Sequence, residues 1–525
     1  MSYISFAFAG FLAASVLGYY FTPKRFRWIV LLLFSLEYYL SGGVKAMACL
    51  AFTVVTSWAA GLLLDSLNAR RKDVPKEDKP ALERIKKYKQ ALVAVTLILN
   101  FGMLWMLKYL DFTVGTLSGL LGKFGILWDP VFPGFVMPIG VSFFLFQSVG
   151  YVIDCYRGKY PAQRNIAKFA LFVSFFPQMV QGPISRYDKL APQLMAGNDL
   201  NTDSLRDGIL RILWGYFKKM VIADRAGAVV SAFFADYASY SGTVTAAAIL
   251  FYCINLYCDF SGGIDITIGS AQLFGITVEE NFRRPIFARD LAEYWRRWHI
   301  TLGGWMRDYV FYPISLSPAF GKLGKWSRRK FGGKLGKILP TSAATFIVYL
   351  IIGIWHGANF RYIAYGFFNG AIITSSILLT NVYDAWKKKL GIREDGAWWK
   401  LFCTARTWFL VFLGRYITRS PRLLVGLSLI IHTFNPFSAK ISDLWNGTML
   451  NFGLTGADYA VIAVSVAVML AVEWYEEHHG SVREMLAKQN GIVQWLAVTA
   501  LLLVILLLGI FRGSYISSAF IYGQF

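Results

Sequence analysis

The chain has 525 residues, of which 56% are hydrophobic, 17% aromatic and only 16% charged, with a formal net charge of +22, whereas soluble domains carry about 25% charged residues. That balance excludes a soluble enzyme. The Lys and Arg residues fall in short clusters between apolar runs and form no basic stripe, so nucleic acid is excluded as a partner and the charge reads as membrane topology.

A spanning helix needs about 20 mostly apolar residues. Taken in chain order, that template predicts spans near 3–21, 28–43, 46–64, 91–110, 132–153, 166–183, 206–232, 244–273, 340–358, 362–383, 404–434 (one or two segments), 458–475 and 492–511. The fold class is therefore an all-α, polytopic integral membrane protein with about eleven to thirteen crossings. The first apolar run has no basic residues ahead of it and is followed by Lys24, Arg25 and Arg27, so it reads as a retained span with its N-terminus outside. The 65–90 connection, with nine Lys/Arg against five Asp/Glu, and the 154–165 link lie on alternate loops, which places both inside. The stretch GKLGKWSRRKFGGKLGK at 321–337 has seven basic residues and no acid. It belongs on the cytoplasmic face, where it can also meet anionic lipid. Cys49, Cys155, Cys253, Cys258 and Cys403 include no CxxC pair, and neither a disulfide framework nor a metal site is expected.

Residues 280–316 break the pattern. ENFRRPIFARDLAEYWRRWHITLGGWMRDYVFYPI is dense in Arg and Trp and has no apolar stretch of membrane length, so it is expected to be re-entrant or interfacial, buried in protein or lining a watery cavity. On a continuous helix Trp295, Trp298 and His299 would share one face and Arg296 and Arg297 would turn away toward solvent or phosphate. An aromatic belt with snorkelling arginines is the competing reading. His356 lies at the end of another apolar run, followed by Gly357 and Asn359. A histidine at that depth is a functional candidate, or else a hydrogen-bonding link between helices. Gly353, Gly357, Gly366 and Gly370, spaced in fours, allow close helix approach around it.

Four motifs, FFPQMVQGPISRY, YCDFSGGIDITIG, RRWHITLGGWMRDYVFYPI and GIWHGANFRYIAYGFFNG, together resemble the membrane-bound O-acyltransferase (MBOAT) family in its bacterial alginate O-acetylation branch. The resemblance covers roughly 130–370 well and the rest by hydropathy. It implies one membrane domain over 1–525, with N-terminal helices at 1–130, a catalytic core at 131–383 and C-terminal helices at 384–525, shaped as a funnel in a bacterial cytoplasmic membrane. It implies that His356 and His299 are catalytic, with Arg296, Arg297, Trp298, Arg307 and Asn359 on the donor side. The donor it implies is a thioester, acetyl-CoA or an acyl carrier protein, with no bound cofactor. The acceptor is a polysaccharide reached through an extracellular SGNH-type partner. The chain departs from the family pattern at DFSGGID, where DFSGYSD is usual, and at Glu37 in the second span. D-alanyl transfer to teichoic acid is the close alternative, and a polysaccharide or lipid transporter is a more distant one that lacks the expected paired discontinuous helices.

The C-terminal SSAFIYGQF carries an FxYxxF pattern similar to a motif proposed to relay an acyl group on tyrosine. Tyr522 is therefore either a covalent relay or an interfacial anchor.

Overall fold

The computed structural model describes residues 2–128, 130, 137–138, 140–333 and 335–511. Tyr522 lies outside them. In chain order the helices are α1 (Phe6–Phe21), α2 (Arg27–Leu40), α3 (Val44–Asp73), α4 (Lys79–Lys108), α5 (Leu110–Gly122), α6 (Val141–Arg157), α7 (Ile166–Ser174), α8 (Tyr187–Ala196), α9 (Thr202–Tyr216), α10 (Asp224–Ala235), α11 (Gly242–Gln272), α12 (Leu291–Arg297), α13 (Ile300–Met306), α14 (Tyr312–Ser315), α15 (Pro318–Phe331), α16 (Leu335–His356), α17 (Phe360–Leu378), α18 (Thr380–Lys389), α19 (Ala397–Arg419), α20 (Leu423–Phe434), α21 (Gly456–His479), α22 (Val482–Ala487) and α23 (Gly491–Leu508). Among the described residues there is no strand, only an isolated bridge between Phe282 and Trp298.

Six helices, α3, α4, α11, α16, α21 and α23, are each long and apolar enough to cross a membrane among the described residues, and α17 with α18, bent by 63°, makes a seventh. The protein is a multi-pass membrane protein. The other predicted spans correspond to helices that are shorter, broken or charged, apart from the first part of the 132–153 span, whose residues 132–136 and 139 lie outside the described residues. The segment predicted at 166–183 stops being α-helical at Ser174, where Phe175 turns to ψ 107°, and resumes as a single 3-10 turn at Phe176–Gln178 with Pro177 in the first-turn position that proline tolerates. The 404–434 stretch, expected as one or two segments, is two helices, α19 and α20, divided at Pro421, which holds Ser420 before it in extended backbone. The charged 65–90 connection is mostly helix. Lys, Arg and Glu carry α3 to Asp73 and start α4 at Lys79, since all three are good helix formers. Asp78 caps α4 by accepting from the Ala81 amide at 3.0 Å.

The chain forms two compact units. One comprises residues 2–212 with 263–279. Its interior is aromatic: the Tyr3 hydroxyl donates to the Phe176 carbonyl at 2.8 Å, and Phe11 meets the Phe176 ring edge-on at 5.3 Å. The other comprises residues 213–262 with 280–511 and carries every described candidate site residue. Within it α16 and α17 pack in close antiparallel contact. A methyl on Gly353 would sit 2.5 Å from the Tyr362 carbonyl oxygen and 2.9 Å from Gly366 Cα, so only glycine allows the two backbones to touch, as small residues do between membrane helices. By contrast only 6% of the apolar window of α23 is buried, which leaves its Leu and Ile side chains, Ile505 excepted, to lipid.

Candidate active site

The 280–316 segment is held by a short antiparallel backbone contact around the Phe282–Trp298 bridge. The Arg283 amide donates to the Arg297 carbonyl at 2.9 Å and the Ile300 amide to the Asn281 carbonyl at 3.0 Å. Two non-glycine residues here have left-handed backbone, Arg284 at φ 46° and His299 at φ 51°. Such a conformation costs on the order of 1–3 kcal/mol and persists only where the surroundings hold it. They do at Arg284, whose guanidinium pairs with Glu477 at 2.7 Å.

This geometry corrects the reading of Trp295, Trp298 and His299 as one helical face. Helix α12 ends at Arg297, Trp298 is extended, and His299 turns left-handed before α13 begins. Periodicity assumed an unbroken helix, and the bridge of Phe282 to Trp298 breaks it. Trp295 instead donates from its indole to Asn369 at 3.0 Å, while Trp298 stacks on Tyr294 at 5.5 Å.

His299 is buried, 1% exposed, and its orientation is set by Asn281. The Asn281 Oδ1 accepts from the Thr301 amide at 3.0 Å and the Thr301 hydroxyl at 2.9 Å. An amide N–H can only donate, so that atom must be the oxygen. His299 Nδ1 lies 3.3 Å from it and must therefore carry the hydrogen, leaving the lone pair on Nε2. Phe260 meets the imidazole edge-on at 5.0 Å and Trp355 at 5.9 Å.

His356 is the last residue of α16 and is half-buried. Its ring lies 5.1 Å from that of Trp355, so the same indole contacts both histidines, which are within electrostatic reach of each other. Gly357 admits the Tyr362 ring: a methyl there would come within 2.4 Å of it. Asn359 accepts from the Arg361 amide at 3.1 Å and starts α17. The structure therefore brings His299, Trp298, His356 and Asn359 into one neighbourhood.

The cationic candidates are placed differently. Arg297 is engaged by Glu293 at 2.8 Å and Glu477 at 2.9 Å. Arg296 and Arg307 are exposed, and Arg307 pairs with Asp308 at 3.0 Å.

Three groups in this unit escaped the sequence reading. Asn281 is one. Lys219 is another: fully buried on a π-helical turn at Phe217–Ala223, it reaches Asp259 at 2.6 Å and Asp224 at 2.9 Å. Asp224 stands at ion-pair distance without a directional hydrogen bond among the described residues. Asp259 is followed by Phe260, so the ion pair anchors the ring that packs on His299. The third is Arg415, buried on α19, which donates to the Tyr294 hydroxyl at 2.8 Å and the Tyr365 hydroxyl at 3.2 Å and covers the Trp298 face at 5.4 Å.

Residues 157–420 match the model of the membrane-bound O-acyltransferase family. The chain belongs to that family. A probable alginate O-acetylase of Pseudomonas syringae pv. tomato is 30% identical over 86% of this chain and 77% of its own length. A peptidoglycan O-acetyltransferase of Helicobacter pylori is 28% identical over 70% of this chain and 68% of its own. A teichoic acid D-alanyltransferase of Bacillus subtilis is 26% identical over 53% and 68%. This MBOAT protein is thus a membrane O-acyltransferase, and the transporter alternative falls.

Proposed function

We propose that this MBOAT protein takes an acetyl group from a cytoplasmic thioester, acetyl-CoA or an acyl carrier protein, and passes it across a bacterial cytoplasmic membrane for O-acetylation of an extracellular polysaccharide. The observation that carries the reading is the shared contact of His299 and His356 on Trp355. In the proposed step His356 takes the proton of an acceptor hydroxyl, whose oxygen forms a bond to the thioester carbonyl carbon. The C–S bond then breaks, and the departing thiolate recovers the proton from the imidazolium. His299, with its lone pair on Nε2, is oriented to accept a hydrogen bond from donor or acceptor. The exposed Arg296 and Arg307, with Lys322, Lys325, Arg328, Arg329 and Lys330 on α15, attract the phosphates of the donor. An extracellular SGNH-type protein completes delivery to the polymer.

Acetyl transfer is preferred to D-alanyl transfer because the alginate O-acetylase match runs over 86% of the chain and the D-alanyltransferase match over 53%. Inverted membrane vesicles supplied with acetyl-labelled CoA are expected to form alkali-labile label on polymer or protein. Label arriving only from a D-alanyl carrier protein would replace acetyl with D-alanyl.

The C-terminal Tyr522 enters the same scheme as a relay. A phenol, with a pKa of about 10, is easier to deprotonate than a sugar hydroxyl, and its ester stays reactive enough to pass the group on. Tyr522→Phe keeps an interfacial anchor and deletes the hydroxyl. Loss of polymer acetylation in that variant is the expected outcome, and wild-type acetyl content would make Tyr522 an anchor only.

A further inference from the structure

Three arginines gather behind the tyrosines that flank His356, with no carboxylate paired to them among the described residues. Arg361, at the start of α17, donates to the Ser420 carbonyl and to the Tyr362 hydroxyl, the latter at 3.1 Å. Its Nε is buried and meets no acceptor among the described residues. Arg415 is 5% exposed and its neighbours are neutral, the Tyr294 and Tyr365 hydroxyls, the Trp298 face and the Cys253 thiol. Arg419 lies over the Phe234 ring at 4.5 Å, within electrostatic reach of Arg361. Tyr252 stands within reach of both Arg415 and Arg419. The rings of Tyr362 and Tyr365 connect this cluster to His356, each 6.5 Å from the imidazole. None of the three arginines makes an ion pair among the described residues. Like charges in a dry interior repel one another, and buried cations are ordinarily paired.

Position says which ligand supplies the missing charge. Helix α16 has 22 residues, about 33 Å at 1.5 Å per residue, and His356 is at the end remote from the basic helix α15. Helix α19 likewise starts after Lys387, Lys388 and Lys389 and ends at Arg419. The cluster is therefore on the far side from the cytoplasmic cations, where arginine runs against the topological bias.

We propose that Arg361, Arg415 and Arg419 form a binding site for the acid group, carboxylate or phosphate, of a sugar acceptor whose hydroxyl is presented to His356. The proposal rests on the acyl-transfer reading of His356 and on the α15 end being cytoplasmic, and it takes the direct route, in which the sugar itself meets His356 and Tyr522 is an anchor only. The cations fix the acceptor by its acid and leave the neighbouring hydroxyl for the imidazole.

The test uses the full-length purified protein and its thermal unfolding midpoint, with glucuronate, glucose 6-phosphate and glucose as probes at matched ionic strength. One or both acid sugars are expected to raise the midpoint where glucose does not, and whichever saturates at the lower concentration names the acid. In the Arg361→Gln, Arg419→Gln double variant the half-saturating concentration is expected to rise about tenfold or more, as befits loss of charge-assisted hydrogen bonds. Should that variant fail to accumulate, Arg419→Gln alone, on a half-buried side chain, carries the comparison. Equal responses to glucose and the acid sugars, or an unchanged response in the glutamine variant, overturn the site. His356→Ala separates the two readings. A glucuronate response that survives alongside normal polymer acylation in that variant removes the acyl-transfer role and keeps the anion site. A lost acylation with no acid-sugar response in wild type does the reverse.

Discussion

Polymer acylation is expected to fall by about two to four orders of magnitude in His356→Ala, the range that a positioned general base contributes. The protein itself should survive the change. His356 is half-buried, ends α16 and is followed by Gly357, so truncating the ring removes no helix interior and leaves the Gly353–Gly366 contact intact. The measurement is acetyl content of the polymer from cells making equal amounts of the variant and wild-type proteins, with thermal unfolding of the purified protein as the folding check. Normal acetyl content at normal protein levels would end the case for His356 as the base, and the imidazole would then be a packing group between α16 and α17.

The second large effect is on folding. In Lys219→Ala the carboxylates of Asp259 and Asp224, whose side chains are 0% and 4% exposed, lose their shared cation. Leaving buried charge uncompensated costs about 3–5 kcal/mol, a large part of the roughly 5–15 kcal/mol that holds a domain together. The variant is expected to accumulate poorly or to melt well below wild type. Restoring neutrality tests the cause: Lys219→Met with Asp259→Asn and Asp224→Asn should recover the midpoint, because a neutral, hydrogen-bonding set needs no counter-charge. A wild-type midpoint in Lys219→Ala would show that the cluster is solvated enough to tolerate an unpaired carboxylate.

These residues show where sequence reasoning reached and where it stopped. His356 and His299 were legible because a histidine in or beside an apolar run is chemically conspicuous, and the 280–316 segment was legible because its charge forbids a lipid-facing helix. The backbone at His299 was not, since an i, i+3, i+4 pattern presupposes the helix that residues 281–283 interrupt by pairing with 297–300. Asn281 precedes His299 by 18 positions and gives no local signal of the contact. Lys219 sat in the middle of the predicted 206–232 span and drew no reading, because its partners, Asp224 and Asp259, are on α10 and α11 and meet it only in the packed structure. Arg415 did give a signal, a cation inside the apolar run TWFLVFLGRYIT, but its meaning depends on the absence of an acid nearby, which only the packed neighbours reveal. Span lengths were blurred where the backbone left the helix, at Phe175 and at Ser420 before Pro421.

The left-handed backbone of His299 complicates the usual genetic experiment at this position. Alanine removes the imidazole and also places a residue that dislikes φ near 51° where the Asn281 to Thr301 hydrogen bonds demand it, so a dead alanine variant is ambiguous between lost chemistry and a displaced loop. Glycine occupies that region of backbone space freely, and asparagine tolerates it better than most residues. A set of three replacements, glycine, asparagine and alanine, therefore acts as a small conformational ruler. Activity that tracks the ease of the left-handed turn belongs to the loop, and activity absent from all three belongs to the ring.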